Sequence, residues 1–492
     1  MLLVHQDIAD TRHARVLRDD APERPQRECA PSPSRESLEM SLRRLIDAAP
    51  IRPLQIQILI LCTVIAAVEG VDIISMSIVS VDLKPAWGLT GTQVGALLSV
   101  GPAGMIAGAV LLAPLADRVG RRPVMLVAMA IVAAGMLLSA VAPSYAFLLV
   151  IRALTGIGMG AVIPINAILV SEYFPTRRRA SAIGIITIGN PIGAAIIAAV
   201  ASPLMGSLGW HSIFWIGGLS TAIVLVSAWF LLPETPDFVE ARGTAKDQAA
   251  AMTLMRRLRL DEVREAAAAD STNTDSEPAG KHSTAGFGVR SLAMVLFSVI
   301  FIAVNGAYYL ANLWLPQLLL MAGLPESTSL HAVSLFSLGA VVGSLLFAAA
   351  TLRWSPFTMC CLLLAGGIVA FLGIAGVAGS ATPALVAAFV LGMCMLAALG
   401  GLFALAPLLF QTGSRASALG LAGGFGRVGT TLAPMGIGLL VDSGWGPDSL
   451  FMIAVIPTAV ALILIAVLGR MRRRRLQSVP VAESAMAQVQ SA

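Results

Sequence analysis

The sequence predicts an all-α membrane protein with twelve transmembrane helices in two six-helix bundles. Three observations predict it. The 492-residue chain is 57% hydrophobic and 12% charged, with a mean hydropathy of +0.83, whereas soluble domains carry about 25% charged residues. Its apolar residues gather into twelve runs of bilayer-crossing length, six on each side of a polar stretch. The two sets of six also repeat one another. Runs this apolar must be helical, because a backbone surrounded by lipid has to satisfy its own hydrogen bonds.

Residues 1–50 are rich in Arg, Pro, Ser and Asp and contain no apolar run. They are expected to be disordered, without a signal peptide, and Met40 offers an alternative start. The first bundle, 51–232, holds the runs 54–80, 93–115, 123–142, 146–170, 180–202 and 211–232. Residues 233–290 open with Pro-Glu-Thr-Pro-Asp-Phe and read as a partly helical linker. The second bundle, 291–470, holds 291–319, 329–350, 357–378, 382–407, 416–440 and 449–469, and a tail, 471–492, follows.

Basic residues fall on alternate loops. Arg118, Arg121, Arg122, Arg177, Arg178, Arg179, Arg353, Arg415, the linker and the tail from Arg470 carry them, while the opposite loops have little beyond Lys84. This bias puts both termini and the linker in the cytoplasm. Shifting the second half by 236 positions lays Arg415–Gly420 on Arg179–Gly184, Gly429 on Gly193, and Asn305-Gly306 on Glu69-Gly70. The halves are therefore parallel repeats, an arrangement in which substrate binds between them near the midplane.

The chemistry-bearing residues are few. Glu69 and Asp72 lie i, i+3 in the first run, on one helix face. They sit roughly 22 and 27 Å along the axis from Leu54, in the outer half of a core about 30 Å thick. Acids at that depth point to a functional role, the alternative being that they lie wetted among the headgroups. Arg152 lies at a similar level, roughly 10 Å from the start of its run at Tyr145. It either pairs with these acids or snorkels to the surface. Arg427 lies roughly 18 Å into the eleventh run, near the midplane. A guanidinium there suits a carboxylate, held in a fork; a purely structural role is the alternative. The seventh run offers Asn305, Tyr308, Tyr309, Asn312 and Trp314, able to sandwich a flat ring or to form an interfacial belt. Asn190-Pro191 reads as a helix kink rather than a ligand. Five scattered cysteines show no metal spacing and imply no disulfide framework. The sequence holds no nucleophile–base set or phosphate loop, so it does not read as an enzyme, and the basic tail suits anionic lipid better than nucleic acid.

Two further stretches carry a recognisable pattern. Leu115-Ala116-Asp117-Arg118-Val119-Gly120-Arg121-Arg122 resembles the signature loop of the major facilitator superfamily, apart from Ala113 where that pattern opens with Gly. Asp117, Arg118, Gly120, Arg121 and Arg122 are its candidate conformational latch. Arg152 with Gly156, Gly158 and Gly160 also resembles that superfamily's fourth helix. Within it, the chain from about Ile46 to Gly469 resembles the bacterial aromatic acid/proton symporters. The resemblance rests on Ile46–Pro50, Glu69-Gly70-Val71-Asp72, Asn190–Ala194, Trp210–Trp215, Trp314-Leu315-Pro316 and the Gly426-Arg427-Val428-Gly429 frame.

The resemblance implies that Glu69 and Asp72 serve proton coupling. It implies a monomer in the bacterial cytoplasmic membrane that imports an aromatic carboxylate with a proton, driven by the proton gradient without a cofactor. Efflux by antiport on the same scaffold is the alternative, and an uptake assay with a proton ionophore separates the two.

Overall fold

A computed structural model describes residues 42–242, 245–260, 291–377, 379–410 and 415–490. It is helical nearly throughout. In the N-terminal half the helices are α1 (Leu42–Ala48), α2 (Pro53–Ala86), α3 (Gly91–Leu111), α4 (Leu115–Val119), α5 (Arg121–Ala140), α6 (Tyr145–Tyr173), α7 (Thr176–Leu208) and α8 (His211–Leu231). Two short helices follow, α9 (Pro236–Arg242) and α10 (Ala245–Leu258). The C-terminal half comprises α11 (Leu292–Met321), α12 (Glu326–Ala350), α13 (Pro356–Val377), α14 (Ala381–Leu409), α15 (Arg415–Asp442), α16 (Pro447–Ile453) and α17 (Val455–Gln490).

Each of the twelve predicted runs is helical over most of its length, the last, 449–469, being divided between α16 and α17. Among the described residues, eleven segments are long and apolar enough to cross a bilayer. The remaining run is α15, 28 residues long, whose hydropathy is lowered by Arg427 and a series of glycines. Helix ends follow local chemistry. Proline opens α2, where its missing N–H is no loss. Thr90 and Gln93 form a reciprocal capping box at the start of α3, and Ser144 caps α6.

The expectation of disorder through residue 50 needs correction. Residues 1–41 and the linker stretch 261–290 lie outside the described residues, but Leu42–Ala48 is a helix. Its Leu42, Leu45 and Ile46 are buried at helical spacing. On its polar side Asp47 accepts from the Thr176 N–H at the start of α7, at 2.7 Å. Arg43 bonds the carbonyls of Ser171, Glu172 and Phe174 at the end of α6.

The two halves pack in the same order. In the first, α2 packs on α7, α3 on α6, α5 on α6 and α5 on α8; in the second, α11 packs on α15, α12 on α14, α13 on α14 and α13 on α17. Between the halves α3 packs on α15, α7 on α12 and α2 on α11. Glycines set the packing within each half: a methyl at Gly193 would collide with the Ala67 carbonyl, and one at Gly429 with the Ile302 carbonyl.

Candidate functional site at the seam between the halves

Polar contacts across the seam are concentrated toward the end of the bundle remote from the arginine-rich loops. Ser77 Oγ donates to the Leu313 carbonyl at 2.6 Å, Gln317 Nε2 to Ser80 Oγ at 3.3 Å, and Ser334 Oγ to the Ala195 carbonyl at 3.0 Å. At the tip of α3, Asp442 accepts from the backbone of Gly91 and Thr92. The glycines of α3 and α15 let the two backbones touch there, Gly438 against Gly91.

Below this closed end the two acids of α2 have different surroundings. Asp72 is 2% exposed and its Oδ1 takes Arg152 Nη1 at 2.6 Å, while Arg152 Nη2 reaches the Asp72 carbonyl at 3.2 Å. The Phe214 ring lies 5.8 Å from the guanidinium carbon. Arg152 is thus paired inside the N-terminal half, not snorkelling. A charge removed from such a pair would be left unpaired in a buried place, at a cost of about 3–5 kcal/mol.

Glu69 instead accepts from Asn190 Nδ2 at 3.2 Å and interacts electrostatically with Arg427 of the opposite half. Tyr309 lies within electrostatic reach of both. The seating of Glu69 is set by its neighbours: a methyl at Gly70 would run into the Asn190 carbonyl, so α2 and α7 meet backbone to backbone and bring the Asn190 amide onto the acid. Arg427 is half-buried, and its Nη1 crosses the seam to the Met105 carbonyl at 2.9 Å. A cavity of about 20 Å³ lies beside the Asp72–Arg152 pair, with Tyr309, Met105, Pro102 and Leu313 also among its lining. Its volume suits a single water.

The aromatic and amide residues of α11 divide. Tyr309 lines the cavity. Tyr308 is 7% exposed and packs edge-on against Tyr309 at 5.2 Å and near Phe336 at 5.8 Å. Asn312 is buried, and Trp314 is fully buried with its indole N–H on the Pro434 carbonyl at 2.9 Å. Trp314 is therefore packed within the protein rather than standing in a surface belt. Asn305, at the position matching Glu69, turns its amide to the Phe301 carbonyl at 2.8 Å.

The signature loop ties elements of its own half. Arg121 Nη2 lies 3.2 Å from Asp117 Oδ1 and 3.4 Å from Glu172 Oε1. Glu234 caps α5, accepting from the backbone of Arg121 and Arg122 at 2.9 and 3.2 Å. Gly120, at φ +120°, leaves room for that carboxylate. Arg122 Nη2 donates to the Trp229 carbonyl at 2.6 Å, and Arg118 is exposed.

Sequence reasoning assigns Asn190 only to a kink and is silent on Glu234 and Asp442. Asn190 had a signal: an amide in an apolar run is costly unless it is bonded, and a following proline does not satisfy its side chain. Glu234 and Asp442 sit at helix ends, where an acid is unremarkable until its partner helix is located.

Two helical repeats closed over a charged seam define a membrane transporter of the alternating-access kind. The chain belongs to the Major Facilitator Superfamily, whose pattern matches residues 60–402. It is 30% identical to a gallate transporter of Pseudomonas putida, over 87% of this chain and 95% of that protein. It is also 30% identical to a 4-hydroxybenzoate transporter of Acinetobacter baylyi, over 87% of this chain and 94% of that protein. Among solved structures it resembles the xylose transporter XylE of Escherichia coli in an inward open conformation, with TM-score 0.66 and 13% identity over 83% of this chain and 95% of that one.

Proposed function

We propose that the protein imports an aromatic carboxylic acid together with a proton across the bacterial cytoplasmic membrane. The observation that carries this reading is Arg427 crossing the seam to the Met105 carbonyl, with Glu69 of the other half within its electrostatic reach, in a chain alike over nearly its whole length to transporters of gallate and 4-hydroxybenzoate.

The arrangement supports an exchange of partners. With the site empty, Glu69 and Arg427 compensate one another. A proton on Glu69 releases Arg427, and the fork of the guanidinium then takes the substrate carboxylate in two parallel bonds. Either state leaves the seam without an unmatched charge, which a low-dielectric gap requires before the halves rock. Tyr309 borders the place where the ring would lie, with Pro102 and Met105 opposite. Asp72 and Arg152 hold α2 to α6 and keep a second charge pair near the path. Tyr308, Asn305, Asn312 and Trp314 support the α11 wall. The space of about 20 Å³ is too small for a ring, so loading needs the halves to part at this level.

With the arginine-rich loops in the cytoplasm, the closed end faces outward and the arrangement is the one that releases substrate inward. Asp117, Arg118, Gly120, Arg121 and Arg122 hold the inner ends of the first-half helices as one body during the rocking. The cycle runs as a monomer, on the proton gradient and with no bound cofactor.

Uptake of radiolabelled 4-hydroxybenzoate and gallate by cells making the protein tests this. Import predicts accumulation that a proton ionophore abolishes. Accumulation that rises with the ionophore would mean efflux.

A further inference from the structure

We infer that Asp442 is the catch that holds the outer end of the transporter shut, by capping a helix of the opposite half. It lies outside the substrate site and outside the signature loop.

The chemistry begins with the first turn of α3. A helix start leaves backbone N–H groups without intrahelical partners. In α3 the third is taken by Thr90 Oγ1 at 3.2 Å. The first two are taken by an acid from the other half: Gly91 N donates to Asp442 Oδ1 at 2.6 Å and Thr92 N to Asp442 Oδ2 at 2.7 Å. Thr92 Oγ1 adds a third bond to Oδ2 at 2.5 Å. One carboxylate thus completes the cap, and its charge lies where the helix dipole favours an anion. A second feature locks the same place. Methyl groups at Gly91, Gly95 or Gly438 would press on the facing backbone, so α3 and α15 can touch only because these positions are glycine.

Among the described residues, the matching seam in the other direction shows no such carboxylate cap. Position 206, which corresponds to 442 at the repeat offset of 236, is Gly206. The partner helix there, α12, has Pro325 as its N-cap residue and no side-chain cap. One of the two α seams is therefore fastened by a charge, and the other by packing and the bond from Ser334 to the Ala195 carbonyl. Asp442 is exposed, so its bonds compete with water and salt. A catch of that strength can release on each cycle. When the outer end opens, Gly91 and Thr92 pass to water and Asp442 is solvated, so neither group is stranded.

The inference rests on the reading of the protein as an alternating-access transporter, but its test needs no substrate. Ser99 is buried on α3, one helical repeat below Gly95, and its hydroxyl has no hydrogen-bond partner. In a full-length chain with Cys29, Cys62, Cys360, Cys361 and Cys394 replaced by serine, Ser99→Cys serves as a reporter beneath the catch. The measurement is its labelling rate by a membrane-impermeant maleimide added outside intact cells. Asp442→Asn and Asp442→Ala are expected to raise the rate about tenfold, and Thr92→Val about threefold because both backbone bonds remain. Asp448→Asn, an exposed acid at the same end, is expected to leave it unchanged. Asp442→Asn keeps the side-chain shape, so the test stands if the alanine variant fails to reach the membrane. Labelling in Asp442→Asn equal to the parent would overturn the inference. Faster labelling in a protein that carries no aromatic acid would keep the catch and reject the proposed substrate.

Discussion

In the N-terminal half, Gly193 rides on the Ala67 carbonyl and Gly70 on the Asn190 carbonyl. In the C-terminal half, Gly429 rides on the Ile302 carbonyl, while Gly306 has its nearest neighbours at 3.7 Å, an ordinary contact. The scaffold is repeated but its load is not. The first half hangs two acids on α2, seating one on Asn190 and the other on Arg152. The second half puts Asn305 where Glu69 would be, bonded to its own helix, and contributes its charge from α15 as Arg427. Duplication accounts for the frame; divergence of a few polar positions accounts for the chemistry. The first half carries the acids of α2, and the second carries the cation of α15, whose Nη1 reaches across to the Met105 carbonyl.

The comparison can be broken most severely at Arg152. Replacing it by alanine strands Asp72, and the expected loss is about 3–5 kcal/mol of folding stability, visible as loss of monodisperse protein and a lowered Tm in detergent. Asp72→Asn with Arg152→Gln is expected to regain most of that loss. Asn305→Ala, in the other half, is expected to stay within about 1 kcal/mol, since one helix-internal bond is lost. A stable Arg152→Ala protein would mean that the pair is not closed off from water.

Arg427 is the next largest. Arg427→Lys keeps the charge and loses the fork, so kcat/KM for carboxylate uptake is expected to fall by about a hundredfold, as two charge-assisted bonds become one. Protein levels in the membrane are expected to hold. Unchanged kinetics would rule out recognition by a paired guanidinium.

The smallest effect separates the glycines. Gly70→Ala forces a methyl onto backbone and is expected to cost about 1–3 kcal/mol. Gly306→Ala, at the matching place, is expected to stay within about 0.5 kcal/mol. Equal thermal shifts in the two variants would deny the difference in packing between the halves.

The frame was legible in the sequence because lipid simplifies the problem: an apolar run must be a helix, and a repeat of Arg-Ala-Ser and Gly motifs exposes the duplication. Arg152 was legible too, since a cation at the depth of two acids has few alternatives. Other features depended on which side of a helix faces which neighbour. Tyr308 and Tyr309 are adjacent in sequence, yet only Tyr309 turns to the cavity. Trp314 looked suited to a belt and is fully buried on Pro434. Asn190 resembled a kink and carries the amide that seats Glu69. Helix Leu42–Ala48 was hidden by the polar residues preceding it, although its apolar spacing was present.

The central claim is that Glu69 takes the proton that frees Arg427 for substrate. Glu69→Gln, which mimics the protonated acid, tests it in proteoliposomes loaded with unlabelled 4-hydroxybenzoate. The account predicts that this variant exchanges internal for external labelled acid at a rate within a few fold of the parent, while accumulation driven by an imposed proton gradient is lost. Gradient-driven accumulation at the parental level in Glu69→Gln would contradict it.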